Sequence, residues 1–143
     1  MTTDLSLQRI LFVEDDPDIQ TVAKMALEAL GGFVVLACSS GPEALAEVGG
    51  FAPDLVLLDV MMPGMDGPTM LTALREMPAG RAIPVVFMTA KVQAQELSRY
   101  RALGAEEVIA KPFDPMSLSD RVRAIWSGLR SRGGPAIAAG VPA

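Results

Sequence analysis

Histidine is absent from this 143-residue chain, and cysteine occurs once, as Cys38. Without an imidazole there is no Ser-His-Asp or Cys-His catalysis and no His-ligated zinc or haem. A lone thiol forms no intrachain disulfide and suits a reducing cytosol. Long apolar runs are missing as well, since nothing approaches the roughly 18 residues of a membrane span. Residues 1–9 include Asp4 and no apolar stretch, so they do not read as a secretory signal, and a cytoplasmic protein is expected. Positive charge is in the minority: 12 Lys and Arg stand against 17 Asp and Glu, a formal charge of −5. A small acidic domain is poorly suited to coating a phosphate backbone, so neither nucleic acid nor membrane is an expected partner. Carboxylates, lysines and hydroxyls must carry the chemistry.

What is present is globular. Half the residues are hydrophobic and a fifth are charged, which excludes general disorder. The length favours one domain, large enough to bury roughly 68–70% of its unfolded surface without staples. Short apolar runs alternate with helical patterns. Residues 9–13 (RILFV), 33–37 (FVVLA), 54–58 (DLVLL), 83–88 (IPVVFM) and 106–109 (EEVI) read as strands. The first four are almost continuously apolar, as in a parallel sheet covered on both faces.

Helical patterns follow each run. Over 17–30 the residues Ile19, Val22, Ala23, Ala26, Leu27 and Leu30 form one stripe. Asp16-Pro17 is a start signal and Gly31-Gly32 a stop. A short helix over 42–48 closes at Gly49-Gly50, a third covers 67–77, and a fourth covers 91–103, ending at Gly104. Leu118, Val122, Ile125 and Leu129 stripe the last, with Asp114-Pro115 at its start. Cys38 is expected to be a buried small hydrophobe, and Tyr100 and Trp126 helix-packing residues. Residues 1–8 read as a lead-in, 9–130 as the folded domain and 131–143 as a disordered tail without periodicity. The βα alternation predicts an α/β doubly wound parallel sheet of five strands with helices on both faces. In such sheets ligands bind beyond the carboxyl ends of the strands.

The residues found there are chemically unusual. The first strand runs into Glu14-Asp15-Asp16, the third into Asp59, the fourth into Thr89 and the fifth into Lys111-Pro112. If the first and third strands are neighbours, carboxylates from the first loop face Asp59 across a short gap. Carboxylates so close raise one another's pKa unless a cation intervenes. A hard divalent ion such as Mg²⁺ is one such partner and the Lys111 ammonium another. With both in place the pocket suits a phosphoryl group in transfer, with Asp59 as nucleophile and Thr89 and Lys111 holding oxygens. Each residue alone has a plainer reading. Asp16 is a helix cap, a lone Thr after a strand is a cap, and a lone Lys-Pro is a turn. Met61, Met62 and Met65 fill gaps more readily than they bind metal. Four such residues at four successive strand ends are not coincidence.

In these residues the chain resembles the receiver domain of two-component response regulators. The matching segments are ILFVEDDPDI (10–19), PDLVLLDVMMPGMDG (53–67), VVFMTA (85–90) and GAEEVIAKPF (104–113), spread over residues 9–129. The resemblance implies the strand order 2-1-3-4-5. It implies Asp59 as phosphoacceptor, with Glu14, Asp15, Asp59 and the backbone carbonyl of Met61 around Mg²⁺. Asp15 is then the direct acidic ligand and Glu14 acts through water. It implies Thr89 as the switch hydroxyl, the Ala90 main-chain N–H as a donor to the phosphoryl group, and Lys111 as its ammonium partner, followed by a cis bond to Pro112. One position departs from the pattern. Receivers carry an aromatic residue three before the lysine, and here Val108 stands there.

The resemblance therefore implies a single-domain phosphoacceptor switch, not a turnover enzyme, that catalyses its own phosphorylation and dephosphorylation. Its donor is a phosphohistidine on a sensor histidine kinase or histidine phosphotransfer protein, acting in trans. Its output is a contact with a downstream protein through 91–103, Val108 and 117–130, as a monomer or a phosphorylation-dependent dimer, because the sequence stops about where the last helix does. Three rivals stand beside it. A receiver-shaped interaction module, or a fragment of a longer regulator, would lack full switching, which Val108 leaves open. An aspartyl-nucleophile phosphatase needs a second Asp two residues after Asp59, where Met61 stands. A flavin mononucleotide binder needs a phosphate-cradling loop where three acidic residues follow the first strand.

Overall fold

Both faces of every strand carry apolar side chains, and the fold covers both. A computed structural model describes residues 6–131. Strands β1 (Arg9–Val13), β2 (Val34–Cys38), β3 (Leu55–Asp59), β4 (Val85–Thr89) and β5 (Glu107–Ala110) form one parallel sheet in the order β2-β1-β3-β4-β5. The helices are α1 (Pro17–Met25, continued by a π-helical turn over Ala26–Leu30), α2 (Gly41–Phe51), α3 (Gly67–Glu76), α4 (Ala94–Leu103) and α5 (Leu118–Ser131). This is the expected doubly wound α/β fold.

Alternation along the strands sorts the core into two layers. Leu11, Val13, Val56, Leu58, Val85, Phe87 and Val108 face α2, α3 and α4, meeting Ala44, Val48, Leu71, Leu74 and Tyr100. Ile10, Phe12, Leu55, Leu57, Val86, Met88 and Ile109 face α1 and α5, meeting Ala23, Leu27, Val122, Ile125 and Leu129. Tyr100 is buried with its ring edge-on to Phe87, centroids 5.3 Å apart. Trp126 packs half-buried against the α1/α5 layer. Cys38 is buried at the end of β2. Among the described residues no helix is long and apolar enough to cross a membrane.

Several boundaries differ from the sequence reading. Gly49-Gly50 does not close α2, which runs through to Phe51 and ends at Ala52 in the left-handed region (φ 52°). Phe51 supplies the reason: it packs on the core, and Arg9 stacks 4.3 Å from its ring centroid and donates Nε to its carbonyl. Helix α4 starts at Ala94 rather than residue 91, after Gln93 in extended backbone (φ −70°, ψ 158°), while the Lys91 N–H donates to the Thr89 hydroxyl. Residues 114–117 form a turn before α5, with the Asp114 carboxylate accepting from the Met116 N–H. Asp54 lies outside β3 and accepts the N–H groups of Gln8 and Arg9, which fixes the start of β1. Phe33 precedes β2, while Asp59 and Thr89 are the last residues of their strands. Ser131, expected in the tail, ends α5; the rest of that tail and residues 1–5 lie outside the described residues.

Candidate functional site

Parallel strands bring their carboxyl ends to one edge, so the residues that close β1, β3, β4 and β5 meet there. β1 leads into Glu14, whose N–H extends the ladder to the Cys38 carbonyl (3.0 Å) and whose side chain is 1% exposed. Asp15 is exposed and, among the described residues, makes no side-chain hydrogen bond or ion pair. Asp16 caps α1, accepting from the N–H groups of Asp18 and Ile19, as its plainer reading has it. Asp59 closes β3 at 3% exposure, paired in register with Met88. One strand further on, Thr89 closes β4, buried, with Ala90 exposed after it. The Lys111 N–H donates to the Thr89 carbonyl (2.9 Å), and the Lys111–Pro112 peptide bond is cis.

The side chains converge. Lys111 Nζ lies 3.0 Å from Glu14 Oε1 and 3.2 Å from Asp59 Oδ1. One carboxylate oxygen each from Glu14, Asp15 and Asp59 lies within 4.8 Å of the others. Burial pushes the carboxyl groups of Glu14 and Asp59 above the usual carboxylate range, against the pull of Lys111. Burial also opposes the Lys111 charge, yet its contacts with Glu14 and Asp59 prevail and raise its pKa. Three carboxylates against one ammonium leave two formal negative charges. An all-oxygen donor set with that excess charge and one exposed member suits a hard divalent ion. Met61 has a 62% exposed side chain, whereas Met62 is buried and Met65 packs on the core.

Three features of the site escaped the sequence reading. Lys111 holds Glu14 as well as Asp59, a contact between residues 97 apart in the chain. Thr89 Oγ1 is engaged by the Lys91 N–H (3.1 Å). Gln20 reaches back from α1 to the Glu14 carbonyl (2.9 Å). Nothing in the spacing of Gln20 marks it, because it sits beside the apolar stripe like any solvated helix residue.

A groove of about 450 Å³ opens beside Lys111, lined by Ile19, Val22, Pro112, Phe113 and Pro115 among others. It is almost wholly apolar.

Comparison with known proteins agrees with this architecture. The family described as response regulator receiver domain matches residues 10–123. The DNA-binding response regulator MtrA of Mycolicibacterium smegmatis is 39% identical over 121 residues, 85% of this chain and 51% of that protein. The transcriptional regulatory protein CseB of Streptomyces coelicolor is 34% identical over 125 residues, 87% of this chain and 52% of its own. The chain thus spans about half the length of the curated relatives it matches. Among solved structures, chemotaxis protein CheY4 of Vibrio cholerae superposes with a TM-score of 0.77 at 26% identity, covering 84% of this chain and 99% of that one. The N-terminal domain of a response regulator receiver protein from Methanoculleus marisnigri gives 0.67 at 37% identity, with 83% and 96% covered. A match across most of the folded residues, with identities at this level, has one conclusion: the chain belongs to the response regulator receiver domain family.

Proposed function

We propose that this chain accepts a phosphoryl group on Asp59 from a phosphohistidine of a separate histidine kinase or phosphotransfer protein, and signals in the cytoplasm by protein contacts that depend on it. The observation that carries the proposal is the convergence of Glu14, Asp15 and Asp59 on one another, with Lys111 bridging two of them. In transfer, a carboxylate oxygen of Asp59 attacks phosphorus while the bond from phosphorus to the donor imidazole nitrogen breaks and its electron pair leaves with the ring. Asp15, Asp59, the Met61 carbonyl and, through water, Glu14 would hold Mg²⁺, which would supply charge neutralisation to the phosphoryl oxygens. Lys111 already touches Asp59 and is in reach of an incoming oxygen, and the Ala90 N–H donates to another. The apolar groove beside Lys111 and Ala90 gives the donor protein a surface. Met61, two residues after Asp59, offers no acid, which argues against a phosphomonoesterase.

The same residues give the switch a physical path. When the Thr89 hydroxyl turns toward the phosphoryl group, it releases the Lys91 N–H and loosens the segment that leads into α4. Val108 presents no ring to follow that movement, so the response passes through the backbone and through the packing of α4 by Tyr100. The partner face is then α4, β5 and α5, and hydrolysis at Asp59 resets it. A second reading, in which the chain is the receiver portion of a longer regulator, is favoured by its coverage of about half of its regulator relatives. There the same face addresses an attached domain, and any nucleic-acid contact belongs to that domain.

The test is incubation with Mg²⁺ and acetyl phosphate, read by intact mass. A gain of one phosphoryl group in wild type, absent in Asp59→Asn and in a chelated sample, is expected. Equal labelling of wild type and Asp59→Asn contradicts the proposal.

A further inference from the structure

Of the acidic residues at the site, Asp15 has the least to hold it. Glu14 is fixed twice, by Lys111 on Oε1 and by the Asp16 N–H on Oε2 (3.1 Å). Asp59 is fixed by its strand and by Lys111. Asp15 is exposed, the single residue between Glu14 and the α1 cap, Asp16. Its position follows from the peptide planes on either side of it.

One of those planes has a dedicated clamp. Gln20 Nε2 lies 2.9 Å from the Glu14 carbonyl, which belongs to the Glu14–Asp15 peptide, and 3.3 Å from the Cys38 carbonyl at the end of β2. It is also 3.4 Å from Ser39 Oγ. The Cys38 carbonyl already accepts the Glu14 N–H at 3.0 Å, so the Gln20 amide prolongs the β1–β2 ladder by a side-chain rung. The Gln20 backbone N–H donates to the Asp16 carbonyl (2.9 Å), which anchors the amide's own helix to the far end of the same loop. The loop from Glu14 to Asp16 is therefore closed at both ends by one residue.

We infer that Gln20 is a positioning residue for divalent-cation binding: its side-chain amide fixes the Glu14–Asp15 peptide and thereby presents the Asp15 carboxylate to the ion. The inference rests on the reading of Glu14, Asp15 and Asp59 as the cation site. Gln20 itself does not touch the ion. It removes freedom that binding would otherwise have to freeze out. Residues that orient metal ligands from outside typically change affinity by about 10–100-fold when lost, and a clamp acting through one peptide plane belongs at the lower end.

The experiment titrates Mg²⁺ into the metal-free full chain by calorimetry and measures backbone ¹⁵N order parameters in the same samples. Gln20→Leu keeps the bulk and removes the donor; Gln20→Glu keeps the shape, removes the donor and adds negative charge that by itself would favour the cation. Both variants are expected to bind Mg²⁺ about tenfold more weakly than wild type. Order parameters are expected to fall at residues 14–16 while those around Asp59 and Lys111 stay at wild-type values. Unchanged affinity in Gln20→Leu, tighter binding by Gln20→Glu, or loosening spread equally over the Asp59 and Lys111 segments overturns the inference. A wild-type chain that binds Mg²⁺ but is never phosphorylated removes the phosphoacceptor reading and leaves the role of Gln20 standing. A wild-type chain that binds no Mg²⁺ removes both.

Discussion

Gly67 is where the fold and the chemistry press on the same atoms. It is the first residue of α3, and its N–H donates to the Val60 carbonyl at 2.9 Å. A Cβ there would lie 2.8 Å from the Asp59 carbonyl oxygen and 2.9 Å from Val60 Cα, both main-chain atoms. Carbon contacts settle near about 3.5–4.0 Å, so the chain after Asp59 must retreat by roughly 0.5–1 Å. Overpacking of that kind costs about 1–3 kcal/mol. Alanine's helical advantage of up to about 1 kcal/mol is mostly unavailable at a first helical position. Gly67→Ala is therefore expected to lower unfolding stability in urea by about 1–3 kcal/mol. Its phosphorylation by acetyl phosphate should slow by about tenfold or more, because about 1 Å of misplacement can cost 10²-fold in a positioned reaction. Gly50→Ala is the control of opposite sign. It lies inside α2 with nothing within 4 Å of the added carbon, and should gain about 0.5–1 kcal/mol. A Gly67→Ala protein as stable as wild type and labelled as fast would refute the close-approach reasoning.

Further outcomes follow from the electrostatics of the site and from its helix caps. Burial holds the Asp59 carboxyl above its usual range, so the unfolded chain loses that proton at lower pH than the folded one, and stability falls as pH rises through the interval. Asp59→Asn should therefore be more stable than wild type by about 0.5–2 kcal/mol near neutral pH without divalent ions, with the gap closing toward about pH 4; a constant gap across a pH series of urea melts would exclude this cause. Lys111→Met leaves the buried carboxylates of Glu14 and Asp59 without their ammonium, and should lose about 3 kcal/mol at neutral pH. Stability should return on acidification or on adding Mg²⁺, and phosphorylation should be impaired while the ion still binds. Asp66 caps α3 by accepting the Thr69 N–H, which holds its carboxyl below the usual range. Its contribution is present above the unfolded pKa and lost as pH falls through the lowered one, so Asp66→Ala should cost about 1 kcal/mol in urea at neutral pH and progressively less in acid.

The sequence reading reached the parts of the molecule that local chemistry controls. Apolar runs located the first four strands, because a strand covered on both faces has few polar positions to spend. The cap Asp16 announced its helix, with Pro17 after it. The strand-end residues were legible because parallel strands deliver their carboxyl ends to one edge, whatever lies between. Contacts between distant segments were not legible. The diglycine of α2 reads as a stop until Phe51 is seen packed under Arg9. Gln20 is the clearest case. Its amide matters because β1 and β2 end, and α1 begins, within a few ångströms of one another, and no periodicity along α1 records that.

The account depends on Asp59 becoming covalently bound to phosphorus. The most direct measurement treats the protein with acetyl phosphate and Mg²⁺, reduces the acyl phosphate with borohydride, and sequences the peptides by mass spectrometry. Conversion of residue 59 alone to homoserine is the predicted result. Conversion at Glu14, Asp15 or another carboxylate with Asp59 intact, or no conversion in a sample shown to hold Mg²⁺, would contradict it.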